Sequence, residues 1–329
     1  MVPILAGSRG NRRAASGVHA AMKRTLPGLF VMLLVLAGCA APPATPGGSP
    51  SAEPGSIEHP TGSDAILVVR YEGGMIPVQF QVTSAPNLVL LGDGRVIMQG
   101  AQTLEYPGPA LPAFIERTLT EEGIQLVLDA IEQTNLFTAD LDIRAAQNMI
   151  SDASDTVFEL NAGGNEVVVR AFALGMLDPS MGTPPGASSR EMEAYRALTE
   201  LNDALTTLDT WLPAEAWVAE GWQPYAARAF RLYVADVTGQ PIDGGDLPGQ
   251  VREWPTDDDP AAFGEVQEGF GDGTRCGVAT GDAGETWLAE LNAASQNTLW
   301  TTDGDNRFRV QPRPLLPHEE PDCPDPFAA

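Results

Sequence analysis

Lysine is missing from everything after Lys23, histidine occurs three times (His19, His59, His318), and cysteine occurs three times (Cys39, Cys276, Cys323). Without lysine, Schiff-base, Ser–Lys and P-loop chemistries have no residue to use beyond position 23. Histidine is the usual acid–base group near neutrality. His59 falls in a stretch that reads as a tether and His318 in a Pro-rich tail, so a Ser-His-Asp or Cys-His machine is not expected. No His/Cys pair has zinc-ligand spacing, and no Gly-rich phosphate loop or nucleotide fingerprint is visible. No metal and no cofactor are therefore expected.

Positive charge is equally scarce. The formal net charge is −25, and the five basic residues before Cys39 (Arg9, Arg12, Arg13, Lys23, Arg24) stand in a segment without Asp or Glu. Without that segment, 14 arginines face 44 acids, a net charge of −30. Such a field repels phosphate backbones, which excludes nucleic acid as a natural partner, and it discourages direct contact with anionic lipid headgroups. What remains is the composition of a folded protein, 43% hydrophobic and 19% charged, long enough for a leader, a tether and one or two domains.

From Met22 the chain runs through Lys23-Arg24, about ten apolar residues and the tetrad Leu36-Ala37-Gly38-Cys39. A basic start, a short apolar stretch and small residues are the layout of a secretory signal. The apolar stretch is too short for a hydrocarbon core, which needs roughly 20 residues. The tetrad resembles the lipobox of bacterial lipoproteins. That resemblance implies a diacylglyceryl group on the Cys39 thiol and cleavage before it by signal peptidase II. Residues 40–56 are small and Pro-rich, a composition that cannot bury enough surface to fold. The expected organisation is a signal peptide over 1–38 (with Met22 as an alternative start), a tether over 39–63, an α+β domain over 64–210, and a second α+β domain with a Pro-rich tail over 211–329.

Ala65 to Tyr71 reads as a buried strand. Val78 to Thr83 alternates Val-Gln-Phe-Gln-Val-Thr and predicts another. Leu88 to Leu91 and Val96 to Met98 flank Asp93-Gly94, a hairpin signal. Thr120 is a candidate N-cap for a helix carrying Ile124, Val127 and Ile131. A second hairpin is spelled by Asp155–Leu160 and Glu166–Phe172, and a second helix by Met192, Tyr195, Leu198, Leu201 and Leu205. After Pro213 come a strand at Ala229–Val237, an irregular stretch over Ile242–Gly273, a strand at Arg275–Thr280, a helix with Trp287 and Leu291, and a hairpin joining Thr298–Thr301 to Arg307–Val310. The fold class is α+β, antiparallel sheets with packed helices, as two small domains or two halves of similar strand-helix-hairpin order. The order resembles small α+β modules in which a meander with a "DG" turn packs a helix before a closing hairpin.

Cys276 and Cys323, an even pair in a chain expected to be exported, predict a disulfide, with a reactive thiol as the competing reading. Trp211, Trp217, Trp222 and Tyr225 cluster at the expected domain junction, as glue or as the lining of a ligand groove. The acids Asp257-Asp258-Asp259, Asp272, Asp282 with Glu285, and Asp303 with Asp305 lack the spacing of a calcium loop and read as solvated turns. The stretches Tyr106–Pro112, Leu119–Gly123, Arg275–Val278 and Arg313–Pro317 resemble phrases of uncharacterised lipoproteins of GC-rich bacteria, a likeness that carries no activity. The expected function is a non-enzymatic binding or interaction module at the cell envelope, facing the outside or the periplasm. Its partners would be the membrane, through lipid on Cys39, and an envelope protein or small ligand. Alternatives are an envelope hydrolase using paired carboxylates and a calcium-stabilised adhesion domain.

Overall fold

The computed structural model describes residues 56–178, 182–240, 250–270 and 272–324. Cys39 and the leader lie outside them. The first strand, β1 (Ala65–Glu72), is the apolar run expected there. It is followed by the helix α1 (Val78–Thr83) and the hairpin of β2 (Leu88–Leu91) and β3 (Arg95–Gln99). Gly94 takes φ +84° in the turn, and Leu88, Val89 and Leu90 face Met98, Ile97 and Val96. Next come β4 (Phe114–Thr118) and α2 (Glu121–Gln133). Thr120 caps that helix, its Oγ1 accepting from the Gly123 N–H at 3.1 Å. The half continues with β5 (Leu141–Ile143), the hairpin of β6 (Asp155–Ala162) and β7 (Asn165–Phe172), the helices α3 (Ser189–Thr206) and α4 (Leu208–Trp211), and β8 (Gln223–Tyr225).

These eight strands form one sheet in the order β5-β7-β6-β1-β2-β3-β4-β8. One face is covered by α2, through Ile124, Val127 and Ile131, and by α3, through the five-residue stripe expected from its spacing. On the other face Val68, Val89, Leu91, Ile97 and Phe114 pack under Leu316 from the far end of the chain.

The second sheet contains β9 (Ala229–Asp236), β10 (Val251–Glu253), β11 (Glu265–Val266) and β12 (Arg275–Ala279), then, beyond the helix α5 (Gly281–Asn292), β13 (Leu299–Thr301) and β14 (Phe308–Leu315). Their order is β10-β13-β14-β9-β12-β11. Its core is aromatic: Phe230, Trp254, Trp287, Trp300 and Phe308 are buried together, with Trp287 edge-on to Trp254 at 4.9 Å and near Trp300 at 5.0 Å. Gly264 lets the chain close over this face. It takes φ +62°, and a Cβ there would sit 1.8 Å from the Cys276 carbonyl oxygen.

Several expectations are corrected. Val78–Thr83 is helical rather than extended. In a strand Val78, Phe80 and Val82 would share a face, whereas one helical turn pairs Val78 with Val82. Both valines pack by Tyr233 and Cys276, and Phe80 is left exposed. The surface on offer is one apolar patch, which a turn of helix fills and a strand would not. The hairpin's second strand also runs on to Leu315 through Pro312 and Pro314, which the composition placed in the tail. Both prolines have the same parity and so turn their missing N–H to the same side. There β13 pairs only with Phe308 and Arg309, leaving an open edge where proline is tolerated.

The sheets divide after Tyr225 rather than at Trp211, because β8 pairs with β4. All described residues fall in one compact unit. The loop between β3 and β4 reaches the second sheet, the Ala110 N–H donating to the Ala294 carbonyl at 3.1 Å. In each half the first strand ends beside the last hairpin, β1 next to β6 and β9 next to β14. The hairpins enter in opposite senses, since β6 is the first strand of its pair and β14 the second.

Candidate functional site

The alternation of β9 sets the site. Phe230, Leu232 and Val234 point into the aromatic core, so Arg231 and Tyr233 project from the opposite face. On β14, Arg313 stands directly across from Arg231. Both arginines are 8% exposed, and like charges set opposite in a sheet destabilise it.

The residues after β14 resolve that conflict as a strap. Glu319 engages Arg313 through both carboxylate oxygens, at 2.5 and 3.1 Å, and accepts the Leu316 N–H at 2.8 Å. Asp322 accepts from Arg231 twice, through its carbonyl at 2.6 Å and its carboxylate at 2.9 Å. Next to it the Cys276–Cys323 disulfide, with Cα atoms 6.0 Å apart, ties the strap to β12. The tail is thus held by one covalent and two ionic links.

Between this face and the end of β1 lies a cleft of about 530 Å³. Its walls carry Arg70, Glu72 and Ser154 from the first sheet's side, Val78 and Val82 from α1, and Arg231, Tyr233 and Arg313 from the second, with Pro324 of the strap at the edge. Arg70 pairs with Glu72 and Glu159, and Glu72 also with Arg170. Burial alone would raise the Glu72 carboxyl, but the charges and hydrogen bonds of Arg70 and Arg170 outweigh it and hold the group below its ordinary value. Burial likewise pulls down Glu319's ionised form, yet Arg313 carries its pKa below the usual range. The Tyr233 phenol is raised by burial and stays neutral. The cleft therefore presents ionised groups already paired, beside apolar surface. A second cleft, of about 400 Å³, has Tyr225, Arg95, Arg228 and Glu319 in its walls.

The tryptophans of the junction go elsewhere. Trp217 is buried in the first sheet's core, edge-on to Trp222 at 5.6 Å, with the Arg117 guanidinium 4.0 Å above its ring, and Trp211 packs at the same core's margin. Neither cleft is lined by a tryptophan. Tyr225 alone of that set lines one, the smaller, and its ring is edge-on to Phe114 at 6.5 Å. The acids serve turns: Asp303 accepts the N–H groups of Asp305 and Asn306, which with Arg307 hold its pKa low, and Asp259 and Asp272 accept from Ala261 and Thr274. Among the described residues no group of three or more His, Cys, Asp or Glu is placed to hold a metal ion. Nor is any of their helices long and apolar enough to cross a membrane.

Both histidines are better held than their positions predicted. Ile57 and His59, expected in the tether, dock on α2: Ile57 exchanges two hydrogen bonds with Gln125, and His59 meets the Pro60 carbonyl at 2.7 Å and Glu121 at 3.1 Å. His318 stands partly buried in the strap, with Nδ1 lacking a partner among the described residues. Burial depresses its pKa; Glu319 and Glu159 pull it up, and Arg313 and Arg70 push it down. The fold thus favours neutral His318, while the unfolded chain protonates near the ordinary value of about 6.5. The unfolded state then binds more protons, so stability should fall as pH drops below about 6.5. His318→Gln should flatten that slope in denaturation midpoints measured between about pH 7.5 and 5. An unchanged slope would assign the dependence to another group.

The arginine pair was missed in the sequence. Its signal was there, an arginine at the alternate position of an otherwise apolar strand and another between two prolines. Comparison with protein-family models, with curated proteins and with solved structures finds nothing that matches this chain.

Proposed function

We propose that this chain is a lipid-anchored protein of the bacterial cell envelope that acts by binding, with the cleft between the two sheets as its site. The anchor is read from Lys23-Arg24, the short apolar run and Leu36-Ala37-Gly38-Cys39. Two acyl chains give stable attachment where one does not, and a chain of net charge −30 after the leader would need such a hold on an anionic membrane.

The observation that carries the binding reading is the lining of the cleft. Its arginines are already neutralised by carboxylates, and Tyr233, Val78 and Val82 add apolar wall. A volume of about 530 Å³ is in the range of small-ligand sites, roughly 300–1,000 Å³. Glu72, held ionised, is a poor general acid, which weighs against the carboxylate hydrolase. The test is native mass spectrometry of the full chain isolated from its own membranes. Wild type should carry a bound mass that Ser154→Trp, which fills the cleft, does not.

A further inference from the structure

The two arginines of the cleft face are neutralised in unequal ways. Glu319 is 16% exposed and holds Arg313 through both oxygens while also accepting a backbone N–H. That is a buried staple. Asp322 is 62% exposed, and only one of its carboxylate oxygens meets Arg231. Its backbone carbonyl, at 2.6 Å from Nε, makes the other contact. The carboxylate can therefore swing away while the carbonyl and the neighbouring disulfide keep the strap in place. Asp322 is the solvent-facing member of the pair, so its carboxylate can return to water while an incoming carboxylate keeps the buried Arg231 paired.

Once vacated, this position offers a desolvated guanidinium Nη2 at the edge of apolar surface. Tyr233 lies buried beside it, stacked at a tilt on Phe270 with centroids 5.5 Å apart, and Val82 and Val78 continue the wall. We infer that the cleft's ligand is a small monocarboxylate with an apolar body, its head taking the place of the Asp322 carboxylate on Arg231 and its body lying along Tyr233, Val82 and Val78. A ligand of this charge keeps the balance of the opposed arginines, two cations against two anions. A neutral ligand leaves Asp322 where it is and gains nothing from Arg231, and a cation finds the lining carboxylate, Glu72, already held by Arg70 and Arg170.

This inference rests on the cleft being the binding site, and the probes separate the two. Titration calorimetry of the full chain in lipid nanodiscs would compare 3-phenylpropionate with 3-phenylpropionamide, which differs only in lacking charge. Asp322→Asn removes the competing carboxylate and should tighten binding of the acid about tenfold, as expected for one charge-assisted hydrogen bond, without affecting the amide. Arg231→Gln should abolish binding of the acid. The double variant Arg231→Gln/Asp322→Asn, which leaves neither charge alone, should fold and still not bind. Equal affinity for acid and amide, or an Asp322→Asn affinity equal to wild type, would overturn the inference. A ligand that co-purifies in a Ser154-dependent way but has no carboxylate would also overturn it while leaving the cleft as the site. No bound mass in any preparation would overturn the cleft reading itself.

Discussion

Arg313→Ala is expected to destabilise the fold by about 3–5 kcal/mol, the usual range for removing one member of a buried pair, and to do so without touching a hydrophobic core. The change leaves Glu319 buried with the Leu316 N–H as its remaining hydrogen bond, and it removes the guanidinium contact to the Ser84 carbonyl at 3.1 Å. Ser84 ends α1, so the strap and the helix beside the cleft should loosen together. Denaturant midpoints measure the loss. The paired replacement Arg313→Met/Glu319→Leu should recover most of it, because a buried ion pair exchanged whole for apolar groups is often neutral. A loss below about 1 kcal/mol for Arg313→Ala is the behaviour of a surface pair and would contradict the staple.

Cys39→Ala is expected to move the protein wholly from the membrane fraction to the soluble one and to abolish incorporation of labelled lipid. The effect should be complete because nothing else proposed here holds the chain to a bilayer. A single myristoyl chain gives only marginal attachment, and the lipoprotein modification places two chains on one thiol. The folded part should be unchanged, since Ile57 and His59 are already docked on α2. Membrane fractionation equal to wild type would remove the anchor from the account.

What could be read in the sequence was what local chemistry decides. The Asp93-Gly94 hairpin, the Thr120 cap and the stripe from Met192 to Leu205 follow from turn geometry, an orphan N–H and helical spacing. The pairing of Cys276 with Cys323 also followed, there being no other cysteine after Cys39. Val78–Thr83 reads as a strand because Val78, Phe80 and Val82 alternate, yet the four-residue spacing of the two valines suits a helix equally well, and only the patch at Tyr233 decides. The extent of β14 was hidden by Pro312 and Pro314, whose tolerance depends on an edge that no local pattern reveals. Tryptophans drew attention to the junction at Trp211–Trp222, yet they pack in the first sheet's core. The arginine pair is set by the β9–β14 register and by a strap from another part of the chain. Such proximity arises only on folding.

The most direct test of the central claim is the mass carried by the full chain when it is isolated from its own membranes under native conditions. Wild type should carry a bound small molecule that is absent from Ser154→Trp, with both proteins melting at similar temperatures. A wild-type spectrum showing only the lipidated chain, or the same bound mass on Ser154→Trp, would contradict it.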